Sequence, residues 1–243
     1  MKQSLVIDAG NTRIKVALFE ADKLVSLQIF SENDLSDLKK YLHDFKSTPA
    51  IISSVRSEKN TKWLYSLLPY AHRFIQTSPL PILIKYDTPL TLGLDRIANA
   101  IAVAENSTAL VIDLGTCLKF DYIKDHAFIG GSISPGLRMR FKALNEFTGN
   151  LPLIHDFEKI DVIATNTKNA LISGVVNGME KEIIGFIEEY KQKYPELTIF
   201  MTGGDALHFD FAGKYGIFVD ENLTLKGLNK ALFYVQTHLS NSF

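Results

Sequence analysis

Apolar runs and alternating stretches follow one another at the start of the chain. Residues 5–7 form an apolar run, residues 14–19 alternate between apolar and polar side chains, and residues 24–30 are again rich in apolar side chains. Alternation with a period of two is typical of half-buried strands. The pattern therefore predicts a three-stranded meander, with a tight turn between its first two strands.

Helical spacing and strand-like runs then alternate along the chain. Leucine and phenylalanine recur at helical spacing over residues 33–46, and residues 50–55 have the composition of a buried strand. A second helix is predicted over 58–68, followed by a short strand over 82–86 and an alanine-rich helix over 95–105. This alternation favours sheets with helices on their faces.

The strand-turn-strand pattern of the opening recurs in the second half. An apolar run leads into the turn Asp113-Leu-Gly-Thr, as one leads into Asp8-Ala-Gly-Asn, and the two turns lie 105 residues apart. We therefore predict an α/β protein with duplicated halves, an N-terminal lobe over 1–107 and a C-terminal lobe over 108–243. Chance recurrence of a simple strand-turn-strand unit is the alternative.

The second half continues with predicted helices over 137–147, 168–190 and 224–238, and a strand over 198–202. The longest of these helices has apolar residues along one stripe, which predicts a core position or a subunit interface. The stripe consists of Leu171, Val175, Met179, Ile183 and Ile187.

Composition and charge exclude several classes of protein. The 243 residues are 46% hydrophobic, which is enough for a large core and argues against wholesale disorder. The net charge of −1 removes the general electrostatic reason to expect a nucleic-acid or membrane partner. A single cysteine, Cys117, forms no internal disulfide, and no 18 apolar residues run together, so we predict a cytoplasmic protein.

The first repeated turn has the residues of a phosphate-binding loop, although neither a P-loop motif nor GxGxxG occurs. Gly10 permits a tight turn whose backbone N–H groups, together with the Asn11 and Thr12 side chains, can face a phosphate group. Lys15 can reach back from the next strand, and the carboxylate of Asp8 can hold Mg²⁺. A plain hairpin turn is the alternative.

Two further turns support the same chemistry. Asp113-Leu-Gly-Thr116 again offers a carboxylate, a permissive glycine and a hydroxyl group. Gly203-Gly204 ends an apolar strand, and paired glycines let a ligand approach the backbone closely. We expect the two aspartate-containing turns to face one cleft and to clamp a polyphosphate.

Six segments resemble those of the type III pantothenate kinases, a family within the superfamily of acetate and sugar kinases, Hsp70 and actin. They follow the order of that family between residue 5 and about residue 205, and together they are specific although each one alone is weak. The segments are DxGNTxxK at 8–15, GxDRxxN at 93–99, DxGT at 113–116, GGSISPG at 130–136, TGNLP at 148–152 and NTKNA at 166–170.

The resemblance implies that the protein uses ATP to phosphorylate the primary hydroxyl group of pantothenate. The product is 4'-phosphopantothenate, and this reaction is the first step of coenzyme A biosynthesis. The family also implies a duplicated ribonuclease-H-like fold, as in actin-like ATPases, with mixed sheets flanked by helices. It further implies Mg²⁺ as a cofactor and a homodimer that completes the substrate pocket.

The resemblance also implies roles for individual residues. Asp95 is the catalytic base, and Asp113 binds the monovalent cation, K⁺ or NH₄⁺, on which the family depends. The ATP contacts are Asp8, Ala9, Gly10, Asn11, Thr12, Arg13, Ile14, Lys15 and Thr116. The pantothenate contacts are Tyr86, Gly93, Leu94, Asp95, Arg96 and Thr167. From the residues alone, Asp95 as a helix N-cap and Arg96 as a solvated residue are the alternative.

One residue departs from the pattern of the family. The family commonly has threonine where this chain has Lys119, so a cation lies close in sequence to the proposed cation site at Asp113. If Lys119 points inward it replaces or repels the monovalent ion, and if it points outward nothing changes. A kinase for another small sugar or carboxylate, or a non-catalytic nucleotide-binding regulator, are the rival functions.

Overall fold

The computed structural model describes residues 3–10, 13–31, 34–56, 58–209 and 211–240. Within these residues the strands are β1 Gln3–Ala9, β2 Ile14–Glu20, β3 Lys23–Phe30, β4 Ala50–Ser54, β5 His72–Phe74, β6 Leu83–Ile84, β7 Thr108–Leu114, β8 Cys117–Lys124, β9 Ala127–Pro135, β10 Thr198–Thr202 and β11 Phe218–Val219. The α-helices are α1 Leu35–His43, α2 Glu58–Leu67, α3 Leu94–Val103, α4 Leu137–Glu146, α5 Thr167–Ile172, α6 Gly178–Lys193, α7 Ala212–Tyr215 and α8 Leu223–Ser240.

The chain forms two compact units. Unit 1 consists of Met1–Glu105, Asp125–Ile129 and Asn222–Phe243, and unit 2 consists of Asn106–Lys124 and Gly130–Glu221. The sequence predicts a C-terminal lobe over 108–243, and two segments of that range belong to unit 1. The division of the duplicated halves at residues 107 and 108 stays a prediction.

The sheet of unit 1 is mixed, with strand order β3-β2-β1-β4-β5. The predicted meander is confirmed, since β1 pairs with β2 and β2 pairs with β3 in antiparallel fashion, while β1 and β4 are parallel. One face packs Leu5 and Ile7 of β1 against Leu38 of α1 and Leu64 of α2. Helix α8 contacts the same sheet through β1 and β4.

Unit 2 has the strand order β11-β10-β7-β8-β9, and β6 pairs with the first residues of β9, which belong to unit 1. Helix α6 packs on β8, where Phe186 stacks on Phe120 and Tyr194 stacks on Tyr122. The predicted α/β class with mixed sheets and flanking helices is confirmed. The short strands β5 and β11 were absent from the sequence prediction.

The predicted helix over 168–190 is interrupted. Helices α5 and α6 are joined by a π-helical segment, Ser173–Asn177, in which the backbone makes a wider turn. The apolar stripe from Leu171 to Ile187 is nevertheless buried along its whole length. The stripe is therefore part of the core of the chain. Among the described residues, no helix has both the length and the apolar character needed to span a membrane.

A glycine sets the distance between α3 and α8. A Cβ atom on Gly227 of α8 would overlap the carbonyl oxygen of Ala98 in α3, so the two backbones are in direct contact. Side-chain hydrogen bonds also hold α8 in place. The Thr224 hydroxyl donates to Asn99 at 2.8 Å, and the Ser4 hydroxyl donates to Asn229 at 2.6 Å. Helix α8 therefore holds the position of α3 in unit 1.

We expect Gly227→Ala to lower the free energy of unfolding by about 1–3 kcal/mol, because the added methyl group forces the two helix backbones apart. The matched control is Gly185→Ala in α6, where a Cβ atom meets nothing within 4 Å. Alanine loses less backbone conformational entropy on folding than glycine does, which stabilises that variant by about 0.5–1 kcal/mol. Urea denaturation of both variants measures the difference, and equal effects would contradict the proposed packing constraint.

Candidate functional site

The first hairpin, β1–β2, carries the predicted phosphate loop in unit 1. Asp8 near the end of β1 lies directly opposite Lys15 of β2, so both half-buried side chains share one face of the sheet. Gly10 at the start of the turn is held by Arg56, two residues after the end of β4, whose Nε donates to the Gly10 carbonyl oxygen at 2.6 Å. Asn11 and Thr12, two of the predicted ATP contacts, lie outside the described residues.

The other predicted residues of this loop have different exposures. Ala9 and Ile14 form the last pair of the hairpin, and each is only 1% exposed. Arg13 is exposed. The side chains of Ala9 and Ile14 therefore belong to the core at the end of the hairpin.

The second hairpin, β7–β8, holds a buried ion pair in unit 2. Asp113 and Lys119 are directly opposite each other, and the Lys119 Nζ lies 2.7 Å from the Asp113 Oδ2. Their side chains are 10% and 12% exposed. Of the two orientations that the sequence leaves open for Lys119, the structure has the inward one.

The two hairpins therefore have the same charged pair at the same place. In each, an aspartate one residue before the end of the first strand faces a lysine near the start of the second, Asp8 with Lys15 and Asp113 with Lys119. Lysine in the family's threonine position makes the second hairpin a closer copy of the first. This agreement in register supports the predicted duplication.

A glycine brings the GGSISPG segment of unit 2 onto the second hairpin. A Cβ atom on Gly136 would overlap the carbonyl oxygens of Gly115 and Thr116, whereas the Gly136 N–H donates to the Thr116 oxygen at 3.2 Å. Thr116 itself is exposed at the tip of the hairpin. The GGSISPG segment and the DxGT turn, which are separate in sequence, are in contact in the fold.

The Gly203-Gly204 turn also lies against this hairpin. Gly203 has a φ of 98°, and a Cβ atom there would overlap the backbone of Leu114 at the end of β7. The N–H of Asp205 donates to the carbonyl oxygen of Leu114 at 2.9 Å. Burial raises the pKa of the Asp205 carboxyl above its usual value of 3.8, and the charges of His208 and Arg138 oppose this shift.

The predicted base, Asp95, lies in the first turn of α3 in unit 1. Gly93 occupies the N-cap position, so the expectation from the residues alone that Asp95 is the N-cap is wrong. The Asp95 Oδ1 accepts a hydrogen bond from the Arg96 N–H at 2.9 Å. A Cβ atom on Gly93 would lie 2.6 Å from that oxygen, and a larger residue would displace the carboxylate. Gly93 therefore makes room for the half-buried Asp95 side chain.

Arg96 is buried among aromatic rings and is only 4% exposed, so the alternative in which it is solvated is also wrong. Its guanidinium carbon lies 5.8 Å from the centre of the Tyr86 ring and 5.3 Å from that of Phe128. These two rings meet edge to face at 5.7 Å. Two predicted substrate contacts, Tyr86 and Arg96, are thus brought together, and cation–π contacts hold the guanidinium in place.

Two predicted substrate contacts remain. Leu94 is buried at the start of α3, beside Asp95. Thr167 is the exposed first residue of α5 in unit 2, directly after the N-cap Asn166, whose side chain accepts the Asn169 N–H at 2.9 Å. The structure thus places Thr167 at a well-capped helix start.

Sequence reasoning missed Phe128, which completes the aromatic surroundings of Arg96. Phe128 is in β9, and β6 pairs with that strand so that Ile84 lies opposite Phe128. Its only signal in the sequence is a place in an apolar stretch before Gly130-Gly131. A buried aromatic residue of a strand cannot be assigned to a particular arginine without knowledge of strand pairing.

The two implied metal ions differ in how well these residues suit them. Within the described part of the chain, no three His, Cys, Asp or Glu side chains group as a metal site requires. Mg²⁺ needs only one or two carboxylates beside substrate phosphates and water, so Asp8 suits it.

A monovalent cation at Asp113 does not suit the structure, because the Lys119 ammonium group already binds that carboxylate. A monovalent cation about 4 Å from the Lys119 ammonium group would be repelled by it with about 4 kcal/mol at an effective dielectric constant of 20.

The chain is similar to known proteins over nearly its full length. The model of the type III pantothenate kinase family matches residues 4–189. A type III pantothenate kinase of Bacteroides fragilis is 41% identical over 238 residues, which covers 95% of this chain and 98% of that protein.

Two solved structures are similar in fold. A protein of Campylobacter jejuni described as a Baf family transcriptional activator has a TM-score of 0.62 at 22% identity, covering 96% of this chain and 99% of that one. An inorganic polyphosphate/ATP-glucomannokinase of Arthrobacter has a TM-score of 0.52 at 14% identity, covering 98% of this chain and 100% of that one. At these identities the likeness shows the fold alone.

We expect Asp205→Asn to stabilise the chain at neutral pH. The raised pKa of Asp205 means that the folded state binds a proton more readily than the unfolded state, so the ionised carboxylate costs stability at neutral pH. This cost disappears as the pH falls through the raised pKa, and the advantage of the variant shrinks with it. Urea unfolding of the wild-type protein and the variant at about pH 7 and pH 4 measures the stability advantage at each pH. Asp156→Asn, at an exposed position, is the control. An advantage that grows on acidification would contradict the assignment.

Proposed function

This chain belongs to the type III pantothenate kinase family, and from that premise we propose how its residues carry out the reaction. The protein transfers a phosphoryl group from ATP to the hydroxyl group of pantothenate in coenzyme A biosynthesis. The observation that carries this function is the family match over residues 4–189, together with 41% identity to a named kinase over nearly the full chain.

Asp95 is proposed as the base that accepts the proton of the pantothenate hydroxyl group. Phosphoryl transfer requires chiefly that the reacting groups are positioned and that charge is neutralised, with a carboxylate to take the proton as the new bond forms. In the first turn of α3, the positive end of the helix dipole favours a charged carboxylate. The Asp95 Oδ1 accepts a hydrogen bond from the Arg96 N–H, which fixes the direction of the carboxylate.

The first hairpin and Thr116 are proposed to bind ATP. Unpaired backbone N–H groups in a tight turn attract phosphate oxygens, and a lysine beside them adds positive charge. Lys15 is directly opposite Asp8 at the end of this hairpin, so one face offers both an ammonium group and a carboxylate. Asp8 is the proposed ligand of Mg²⁺, which would neutralise charge on the phosphate groups when bound together with ATP. Thr116 offers an exposed hydroxyl group.

Pantothenate is proposed to contact the start of α3 and the side chains of Tyr86 and Thr167. Arg96 is enclosed by Tyr86 and Phe128, so its guanidinium group keeps one orientation instead of sampling many. A fixed guanidinium group can bind a carboxylate or an amide oxygen with little loss of conformational entropy. Gly93 and Leu94 bring the substrate close to Asp95.

We also propose a homodimer and a cytoplasmic location. Support for a dimer comes from large apolar side chains of unit 2 that are exposed in the single chain: Phe147 at 86%, Val162 at 74% and Ile163 at 86%. Exposed apolar side chains that form a contiguous patch are typical of interaction surfaces, and Val162 and Ile163 are adjacent in the chain. Light scattering of the purified protein measures the oligomeric state, and a monomer at assay concentration would contradict the dimer.

We expect Asp95→Asn to lower kcat for pantothenate phosphorylation by about 100-fold or more, because a general base contributes that much to the rate. The affinity for ATP should stay unchanged, since Asp95 is not among the proposed ATP contacts. Formation of phosphopantothenate and calorimetric titration with an ATP analogue measure the two quantities. A wild-type protein that phosphorylates a small sugar but not pantothenate would support the rival kinase function.

The position of Asp95 is tested by a second pair of variants. Gly93→Ala places a Cβ atom 2.6 Å from the Asp95 oxygen and should lower kcat without unfolding the chain. Gly185→Ala makes the same chemical change in the open surroundings of α6 and should leave kcat unchanged. Equal activity of both variants would show that the carboxylate position seen here does not matter for the reaction.

A further inference from the structure

The ion pair of Asp113 and Lys119 occupies the place that the family implies for a monovalent cation. The Nζ–Oδ2 distance of 2.7 Å is that of a charge-assisted hydrogen bond. A Cβ atom on Gly115 would lie 3.3 Å from the other carboxylate oxygen, Oδ1, so the turn backbone closes around the carboxylate from that direction. The carboxylate is thus enclosed by its own hairpin and by one ammonium group.

We propose that the ammonium group of Lys119 permanently replaces the monovalent cation, so that this protein works without K⁺ or NH₄⁺. A lysine side chain is an alkylammonium ion with the same unit charge as either cation. Because the ammonium group is covalently attached to β8, it loses no translational entropy of the kind that a cation loses when it binds from solution. The inference rests on the proposed kinase function for its activity readout.

The reason for a cation at this place lies in the charges around the DxGT turn. Asp113 is three residues before Thr116, the proposed ATP contact, and an uncompensated carboxylate there would repel the phosphate groups of ATP. Lys119 removes that repulsion. Since its side chain is only 12% exposed, Lys119 is a positioning residue that acts through Asp113 rather than a group that touches the substrate.

The strand geometry fixes this arrangement. Asp113 and Lys119 are directly opposite in the antiparallel β7–β8 pair, and Thr202 of β10 lies opposite Asp113 on its other side. Side chains of such a row project from the same face of the sheet. The β7–β8 pairing is regular from Thr108–Lys124 to Leu114–Leu118, so this strand end accommodates the Lys119 side chain without distortion of the pairing.

The first experiment compares salts. The wild-type protein is assayed with ATP, Mg²⁺ and pantothenate in potassium, ammonium or tetramethylammonium chloride at equal ionic strength. We expect kcat/KM to agree within about twofold across the three salts, since equal ionic strength screens surface charge equally. A loss of about tenfold or more in tetramethylammonium, reversed by K⁺, would overturn the proposal.

The second experiment creates the dependence on the cation. In tetramethylammonium chloride, Lys119→Thr should lose about tenfold or more in affinity for an ATP analogue, because Asp113 is left uncompensated, and K⁺ should restore the affinity. The matched control is Lys124→Thr at the exposed end of the same strand, which should show no salt effect. Lys119→Arg keeps the charge and should remain independent of K⁺.

Thermal unfolding and calorimetry give readouts that need no turnover. K⁺ should raise the Tm of Lys119→Thr but not that of the wild-type protein. If Lys119→Thr does not fold, the wild-type titration still decides, because a rise in Tm or nucleotide affinity with K⁺ would overturn the proposal. If no salt supports phosphopantothenate formation, the proposed function fails while the nucleotide titrations still test Lys119. Turnover that requires K⁺ refutes Lys119 as the replacement and leaves the function intact.

Discussion

Cross-strand register at the ends of two central strands determines which charged groups meet in this protein. In β1–β2 and in β7–β8, the pairing puts a lysine directly opposite an aspartate, so the two side chains share one face. A slip of one residue would send the partners to opposite faces of the sheet. Ile7 and Ile112, which precede the two aspartates, are fully buried, as are Val6 and Val111 on the opposite faces of the same strands. The cross-strand pairing thus fixes which charged residues lie opposite each other at both turns.

Close backbone contacts at glycines hold the second turn in place. Gly136 and Gly203 each lie against the β7–β8 hairpin where a Cβ atom would overlap its backbone. Gly203 also has a left-handed conformation that other residues adopt at a cost. The loop is therefore positioned by main-chain packing from two other segments, and Thr116 is exposed at its tip.

The sequence allows prediction of those features that depend on local pattern. Period-two alternation predicts the meander and both hairpins, and an apolar stripe predicts the buried face of the α5–α6 helical region. The orientation of Lys119 depends on the length of the β7–β8 turn, because Leu114 pairs with Leu118 and so sets Lys119 opposite Asp113. The burial of Arg96 depends on Phe128, which comes from a distant strand. Neither is visible in a periodicity, and the short edge strands β5 and β11 have too few residues to show one.

The place of α8 in unit 1 has a consequence for synthesis on the ribosome. Most of unit 1 comes from the first 105 residues, yet α8 is the last described helix and bonds to Ser4 in the first strand. While the chain is still being made, the surfaces of β1 and α3 that later meet α8 have no cover. Helix α8 must pack against β1 and α3 before the folding of this unit is complete. A nascent or truncated chain therefore presents apolar surface to which a chaperone can bind.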